Sequence, residues 1–304
     1  MPRGAAAGRA LIDWYAPRRR LYPWRKRPTP YRVLVSEVML QQTQAARVVP
    51  AFEHFMTRFP SIAALARAPR SDVVRAWSGL GYNRRAVALS EAARAVIARH
   101  EGRIPRSIED LRELPGVGPY TAAAVASLAF GEPVAAVDTN VRRVVARVRL
   151  GVDGRHASPA EVTEAAERWM NRRRPGDFNQ ALMDLGREVC RPVPRCEACP
   201  LSGGCRFRRA PGRAVRGTSA PVPATAGLGR PQPPFQGSTR QVRGTVVEVL
   251  RGRRSVSLAE LVREIGVPRS RVVLAVRALA AEGIIRVGPA AAAGRPGGRV
   301  SLAD

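Results

Sequence analysis

The chain has 304 residues, enough for two domains that each bury a core, and its 51 Lys and Arg against 24 Asp and Glu give a formal net charge of +27. Such a surplus points to a polyanionic partner, nucleic acid ahead of a membrane surface. No apolar run approaches the ~20 residues of a membrane span, and MPRGAAAGRA at the start is too short and too weakly apolar for a secretory signal peptide, so a soluble intracellular protein is expected.

Residues 9–28 mix arginine with Trp14, Tyr15, Tyr22 and Trp24, as an amphipathic segment packed on a core would. Thr29 and Pro30 open a helix that continues through YRVLVSEVMLQQT. Glu37 has Leu34 three residues before it and Leu40 three after, so its carboxylate shares a face with apolar side chains. Against a cleft wall it would be desolvated and its pKa raised toward a general-acid range; at the helix rim it would simply be solvated.

Residues 44–100 read as helical throughout, with Pro50, Pro60, Pro69 and the Gly79–Gly81 pair as punctuation. WSGLGYNRR is a turn presenting Tyr82, a residue suited either to insertion beside a nucleobase or to packing. In SIEDLRELPGVGPYTAAAVASLAFGEPVAAVDTN, Ser107 and Asp110 form a capping box, Leu111 and Leu114 are to be buried, and Pro115 stops the helix. Gly116 and Gly118 permit backbone conformations closed to other residues, and Pro119 starts the next helix. Its N-terminal N–H groups are a natural seat for a phosphate oxygen, although a P-G-x-G segment can equally be no more than a tight loop.

Asp138 is placed to cap the helix VRRVVARVRL, whose N-terminus favours the ionised carboxylate. Ser158-Pro-Ala-Glu161 starts another helix, and residues 178–190, FNQALMDLGREVC, form one that runs into the cysteines. Cys190, Cys196, Cys199 and Cys205 are the only cysteines, four thiols within sixteen residues. That spacing suits a metal centre, and one Cys-x-x-Cys with two outlying cysteines fits an iron–sulfur cubane better than a zinc ribbon. Residues 210–236 have a linker's composition. Beyond them, STRQVRGTVVEVL, SLAELVREIG and PRSRVVLAVRALAAEG predict three helices, and IIRV with RVSL a β-hairpin, together a winged-helix-like domain at 237–304. Arg269, Arg271 and Arg277 on its third helix suit DNA, a protein partner or the fold itself.

PWR, SEVMLQQTQ, WSGLGY, LPGVGPYTAAA, VDTNVRRV, FNQALMDLG and the cysteine cluster, in that order, resemble the MutY-type adenine glycosylases of the helix-hairpin-helix DNA glycosylases. The resemblance implies a mainly α, two-lobed helix-hairpin-helix catalytic domain over residues 1–209 and a four-iron four-sulfur cluster on the four cysteines. It implies a cytoplasmic, nucleoid-associated monomer that excises adenine mispaired with 8-oxoguanine or guanine in double-stranded DNA. By match to the family, Glu37 protonates the adenine, Asp138 stabilises or transiently bonds the sugar cation, Asn140 orients them, and Tyr120 occupies the active-site tyrosine or serine position. Gln42 and Tyr82 match residues that fill or wedge the opened duplex, with Thr43 beside the opposing purine. Gly116, Val117 and Gly118 match the DNA-binding hairpin, and Arg20, Trp24, Leu40 and Gln180 the adenine pocket.

The similar endonuclease III branch has a lysine at the position of Tyr120, whose amine forms a Schiff base, so little or no strand-cutting activity is expected. Thymine and uracil mismatch glycosylases of the superfamily lack the glutamate present as Glu37. A pyrimidine-directed glycosylase and a non-catalytic iron–sulfur DNA-binding protein are the alternatives. The chain departs from the family in two places. Its first cysteine gap is five residues instead of six, and residues 237–304 do not resemble the Nudix-like domain that reads 8-oxoguanine.

Overall fold

The computed structural model describes residues 2–210 and 234–304, so most of the predicted linker lies outside the described residues. The chain divides into two units. One takes the described residues of Met1–Leu34, Arg106–Arg112 and Val117–Pro231; the other takes those of Val35–Pro105, Glu113–Gly116 and Gln232–Asp304. Among the described residues no helix is long and apolar enough to cross a membrane.

In the first unit, helices Pro2–Tyr15, Thr139–Val145, Pro159–Trp169 and Pro175–Glu188 surround a core that includes Leu11, Tyr15, Val144, Trp169, Phe178 and Leu185. Phe178 meets Trp169 edge to face at 5.4 Å, and each such fully buried side chain contributes about 1.5–3 kcal/mol. Ser158 and Glu161 complete the predicted capping box. The helix predicted over VRRVVARVRL is α-helical only to Val145. It then widens into a π turn, Ala146–Leu150, closed by Gly151 at φ +80°, and the extra residue per turn carries Arg147. Ser107 accepts the Asp110 N–H at 3.0 Å, but the Asp110 carboxylate takes the Ser107 hydroxyl, not its backbone N–H. Leu111 and Leu114 are buried as expected.

In the second unit, helices Ala45–Arg58, Ile62–Arg67, Arg70–Ala76 and Arg84–Arg99 follow the predicted order. Pro50 does not punctuate: the Ala45–Arg58 helix runs through it, burying Val48, Phe52 and Phe55 on one face. The apolar stripe outweighs the helical hydrogen bond that Pro50 cannot donate.

The C-terminal residues of this unit form helices Thr239–Arg251, Leu258–Ile265 and Arg269–Ala281, with strands Ile285–Val287 and Arg299–Leu302 paired antiparallel in the register Ile285 to Leu302. Val256–Ser257 adds a third strand on the other side of Arg299–Leu302. Ser257 ends that strand and caps the next helix through a capping box with Glu260. A short helix, Pro289–Ala292, occupies part of the loop expected between the hairpin strands. The core of this segment takes in Val74 and Val87 from the Arg70–Ala76 and Arg84–Arg99 helices.

Candidate active site and cysteine pocket

Glu37 lies on the Pro30–Leu40 helix, flanked by buried Val33, Leu34, Ser36, Val38 and Met39, and is itself only 5% exposed. Of the two surroundings open to it from sequence, the structure takes the buried one. Leu40 ends the helix, and Gln41, Gln42 and Thr43 follow in a loop. Gln42 is exposed with φ +55°, and Tyr82, in the turn after Gly81, is 42% exposed with φ +46°. L side chains hold that left-handed region only where their surroundings impose it.

Arg85, which the sequence reading passed over, touches both segments. Its guanidinium donates to Val38 O, Met39 O and Gln41 O, to Thr43 Oγ1 at 3.1 Å, and to Leu80 O and Gly81 O. It also lies 5.5 Å from the Tyr82 ring and 5.6 Å from that of Trp77. Burial lowers its pKa to about 10, still charged at neutral pH. One half-buried cation thus orders the loop and the turn that carry three of the predicted duplex-facing residues.

In the other unit, Asp138 caps the Thr139–Val145 helix as predicted. Its Oδ1 accepts the Val141 N–H at 2.6 Å and its Oδ2 the Asn140 amide at 3.0 Å. Burial is the largest influence and raises its pKa; the Val141 and Asn140 hydrogen bonds and the charge of Arg143 pull it back down. The sequence expectation of a stabilised anion weighed only the helix N-terminus. Arg143 donates to Asn140 Oδ1 at 2.9 Å, Gly186 O at 2.7 Å and, through Nε, Cys190 O at 2.7 Å. A chain of hydrogen bonds therefore runs from the carboxylate to the first cysteine.

The irregular stretch before Asp138 is fixed by fully buried Asn179. Its Oδ1 accepts the Ala136 N–H, and its Nδ2 donates to Val134 O and Ser127 Oγ. Gly186 allows the Pro175–Glu188 helix to approach Asn140: a Cβ there would lie 2.7 Å from the Asn140 Cβ. FNQALMDLG contains both residues, but nothing in their spacing distinguishes them from helix filler.

Tyr120 is half-buried with its hydroxyl 3.8 Å from Met183 Sδ, against a cluster of Ala123, Ala124 and Ala136. Gly116 has φ +77°, and a Cβ there would clash with Ala88 at 2.8 Å, so glycine is required. Gly118 corrects the sequence reading: its φ of −87° is open to any residue, and a Cβ would meet nothing. Val117 turns its side chain into the protein, which leaves only its backbone for a ligand.

Of the residues matched to an adenine pocket, Gln180 is buried and accepts the Tyr15 hydroxyl at 2.5 Å. Trp24 is buried and stacks on Tyr22 at 4.9 Å. The next residue, Arg25, forms a buried bidentate pair with Asp184 at 2.8 and 3.1 Å. Arg20 is more exposed and bridges to Glu188 at 3.2 Å.

Cys190, Cys196, Cys199 and Cys205 line one cavity with Arg147, Val148, Leu185, Phe207 and Arg208. Arg147 secures the loop through Arg191 O, Pro192 O and Asp153, its Nη1 lying 3.9 Å from Cys190 Sγ. Burial pushes the Cys190, Cys196 and Cys199 thiols up, Cys199 to about 11. Among the described residues, no three Cys, His, Asp or Glu side chains are grouped as they would be around a single metal ion.

The family of HhH-GPD superfamily base excision DNA repair proteins matches residues 35–172. The chain is 42% identical over 256 residues to the adenine DNA glycosylase of Mycobacterium tuberculosis, covering 83% of this chain and 81% of that one. It is 43% identical over 217 residues to the adenine DNA glycosylase of Rattus norvegicus, covering 67% of this chain but only 42% of the rat protein. The chain thus spans about two fifths of its mammalian relatives. A solved thermostable thymine-DNA glycosylase superposes with a TM-score of 0.62 at 33% identity, covering 67% of this chain and 95% of that one. By this similarity the chain belongs to the HhH-GPD superfamily of base excision DNA repair proteins and, within it, to the family of the adenine DNA glycosylases.

Proposed function

We propose that the protein hydrolyses the N-glycosidic bond of adenine mispaired with 8-oxoguanine or guanine in double-stranded DNA, as a monofunctional base-excision-repair glycosylase. The observation that carries this reading is a carboxyl group buried on an apolar helix, Glu37, in a chain of this family. Breaking the bond gives an oxocarbenium-like sugar and a poor leaving group, so an acid for the base and an anion for the sugar are needed. Glu37 is the acid: it delivers a proton to the adenine ring and then takes one from the attacking water. Asp138 faces the developing cation, and Asn140, itself held by Arg143, sets the direction of the carboxylate.

The target must leave the stack first, which Gln42 and Tyr82 favour by occupying the opened duplex while Thr43 lies beside the opposing purine. The backbone at Gly116, Val117 and Gly118 receives a phosphate, and Arg20, Trp24, Leu40 and Gln180 enclose the extruded adenine. Tyr120 offers no amine, so the strand stays intact after excision.

The cysteine residues fit a four-iron four-sulfur cluster: the donor set is all sulfur, and all four thiols line one cavity. Bound there, such a cluster would supply positive iron centres that hold the four thiols as thiolates and tie residues 190–205 together. Arg143 and Arg147, already beside Cys190, would balance the resulting negative charge.

The similarity to a thymine-DNA glycosylase favours a second reading, a pyrimidine-directed enzyme. A panel of duplexes carrying A:8-oxoguanine, A:G, G:T, G:U or thymine glycol, scored for alkali-labile cleavage, separates the two. Excision confined to the adenine duplexes and abolished in Glu37→Gln, with binding retained, is expected. Full activity in that variant, or release of pyrimidines alone, refutes the proposal.

A further inference from the structure

The C-terminal residues 239–304 do more than pack on their own helices. Val74 and Val87 belong to the same apolar core as Val242, Val246, Leu250 and Leu279. Polar contacts seal the rim: Arg70 donates to Gly283 O at 3.1 Å and Ser71 to Asp304 Oδ1 at 2.9 Å. At its centre lies Arg251, whose side chain is only 11% exposed. Its Nε donates to Val74 O at 3.1 Å while Arg75 Nε donates back to Arg251 O, and its Nη2 donates to Asn83 Oδ1 at 2.9 Å.

Asn83 is 9% exposed and sits between Tyr82 and the first turn of the Arg84–Arg99 helix. The strained Tyr82 turn is therefore held twice. Arg85 grips the carbonyls before it, and Arg251 grips the residue after it.

We propose that the C-terminal segment is a positioning module for the Tyr82 turn, with Arg251 as the positioning residue acting through Asn83. It strengthens engagement of the duplex at Tyr82 without itself reading DNA. This rests on the proposed role of Tyr82 as the duplex wedge. Arg251 is not itself a phosphate ligand, because its guanidinium is committed to Val74 O, Glu248 and Asn83 Oδ1.

A double-mutant cycle on the full-length chain tests the coupling. Affinity is measured by fluorescence anisotropy on a duplex carrying a non-hydrolysable 2′-fluoro-2′-deoxyadenosine opposite 8-oxoguanine, with thermal melting and single-turnover excision alongside. Arg251→Met, which keeps the apolar stem, is expected to weaken binding by about tenfold when Tyr82 is present, the order of a lost hydrogen bond to a charged group. In a Tyr82→Ala background it is expected to cost less than about twofold, as a residue acting through the turn requires. Excision at saturating enzyme is expected to stay within about threefold, since the chemistry is untouched.

Asn83→Ala should give the same cycle while leaving the Arg251 bond to Val74 in place, and it serves if Arg251→Met fails to fold. Equal losses in both backgrounds would overturn the inference, because a module that only stabilises the fold acts regardless of Tyr82. So would unchanged binding in both variants where Tyr82→Ala is itself weakened. Unchanged binding in Tyr82→Ala would instead remove the wedge reading on which the inference stands.

Discussion

Replacing Gly186 by alanine adds one methyl group at the closest approach between the Pro175–Glu188 helix and the start of the Thr139–Val145 helix. The new Cβ would lie 2.7 Å from Asn140 Cβ, 3.0 Å from Asn140 O and 3.1 Å from its carbonyl carbon. Carbon atoms settle at about 3.5–4.0 Å, so the two backbones must part by roughly 1 Å. Overpacking of this kind costs about 1–3 kcal/mol, and in a protein of this size each kcal/mol lowers the Tm by about 2–4 °C. Asn140 and Arg143 move with the displaced backbone, since Arg143 bonds both Asn140 Oδ1 and Gly186 O. The Asp138 carboxylate loses its direction, and a 1 Å misplacement of a catalytic group costs on the order of a hundredfold in rate. Single-turnover excision on a duplex with one adenine opposite 8-oxoguanine should therefore fall by about that factor, with binding little changed. A lowered Tm with an undiminished rate would show that Asn140 does not orient the reaction. An unchanged Tm would show that the contact is not tight at all.

Other outcomes follow from the same geometry. Asp138→Asn keeps a capping side chain for the Val141 N–H but removes a carboxylate whose pKa burial raises. Because the folded state binds that proton more tightly than the unfolded chain, ionisation destabilises the native protein. The variant should match the natural chain at pH below about 4, become the more stable as pH rises through the carboxylate range, and lose excision; melting curves against pH check this. Gly118→Ala meets no atom of the protein and strains no torsion, so the Tm should not move, while DNA affinity should drop several-fold if a phosphate approaches that backbone. Cys199→Ser should lower iron content and the visible absorbance of the purified protein and weaken DNA binding, with iron analysis and gel-shift assays as readouts. Natural iron content in that variant would exclude the cysteine from the ligand set.

The parts legible from sequence were those whose signal is local. Pro115, Gly116 and Pro119 announce the hairpin, because a left-handed residue and a missing N–H are properties of single positions. Glu37 stood out as a carboxylate among apolar residues at helical spacing, although the spacing alone could not choose between rim and interior. Arg85, Arg143 and Asn179 escaped notice for a common reason: each works by bonding backbone carbonyls or N–H groups, which every residue carries and no motif marks. Gly118 was misread because its torsion is an ordinary one and the space beside it is open, neither of which a sequence shows. Val74 and Val87 look like ordinary helix-face residues, and only the folded chain reveals that what covers them comes from the other end of the sequence.

That last arrangement bears on how the polypeptide is made. Arg70 and its partner Gly283 are 213 positions apart. At ribosomal rates of about 5–20 residues per second, Val74 and Val87 wait roughly 10–40 s for their cover to emerge. A newborn chain therefore carries these two valines without their cover through most of its synthesis. Shortening the gene from its 3′ end would make that exposure permanent.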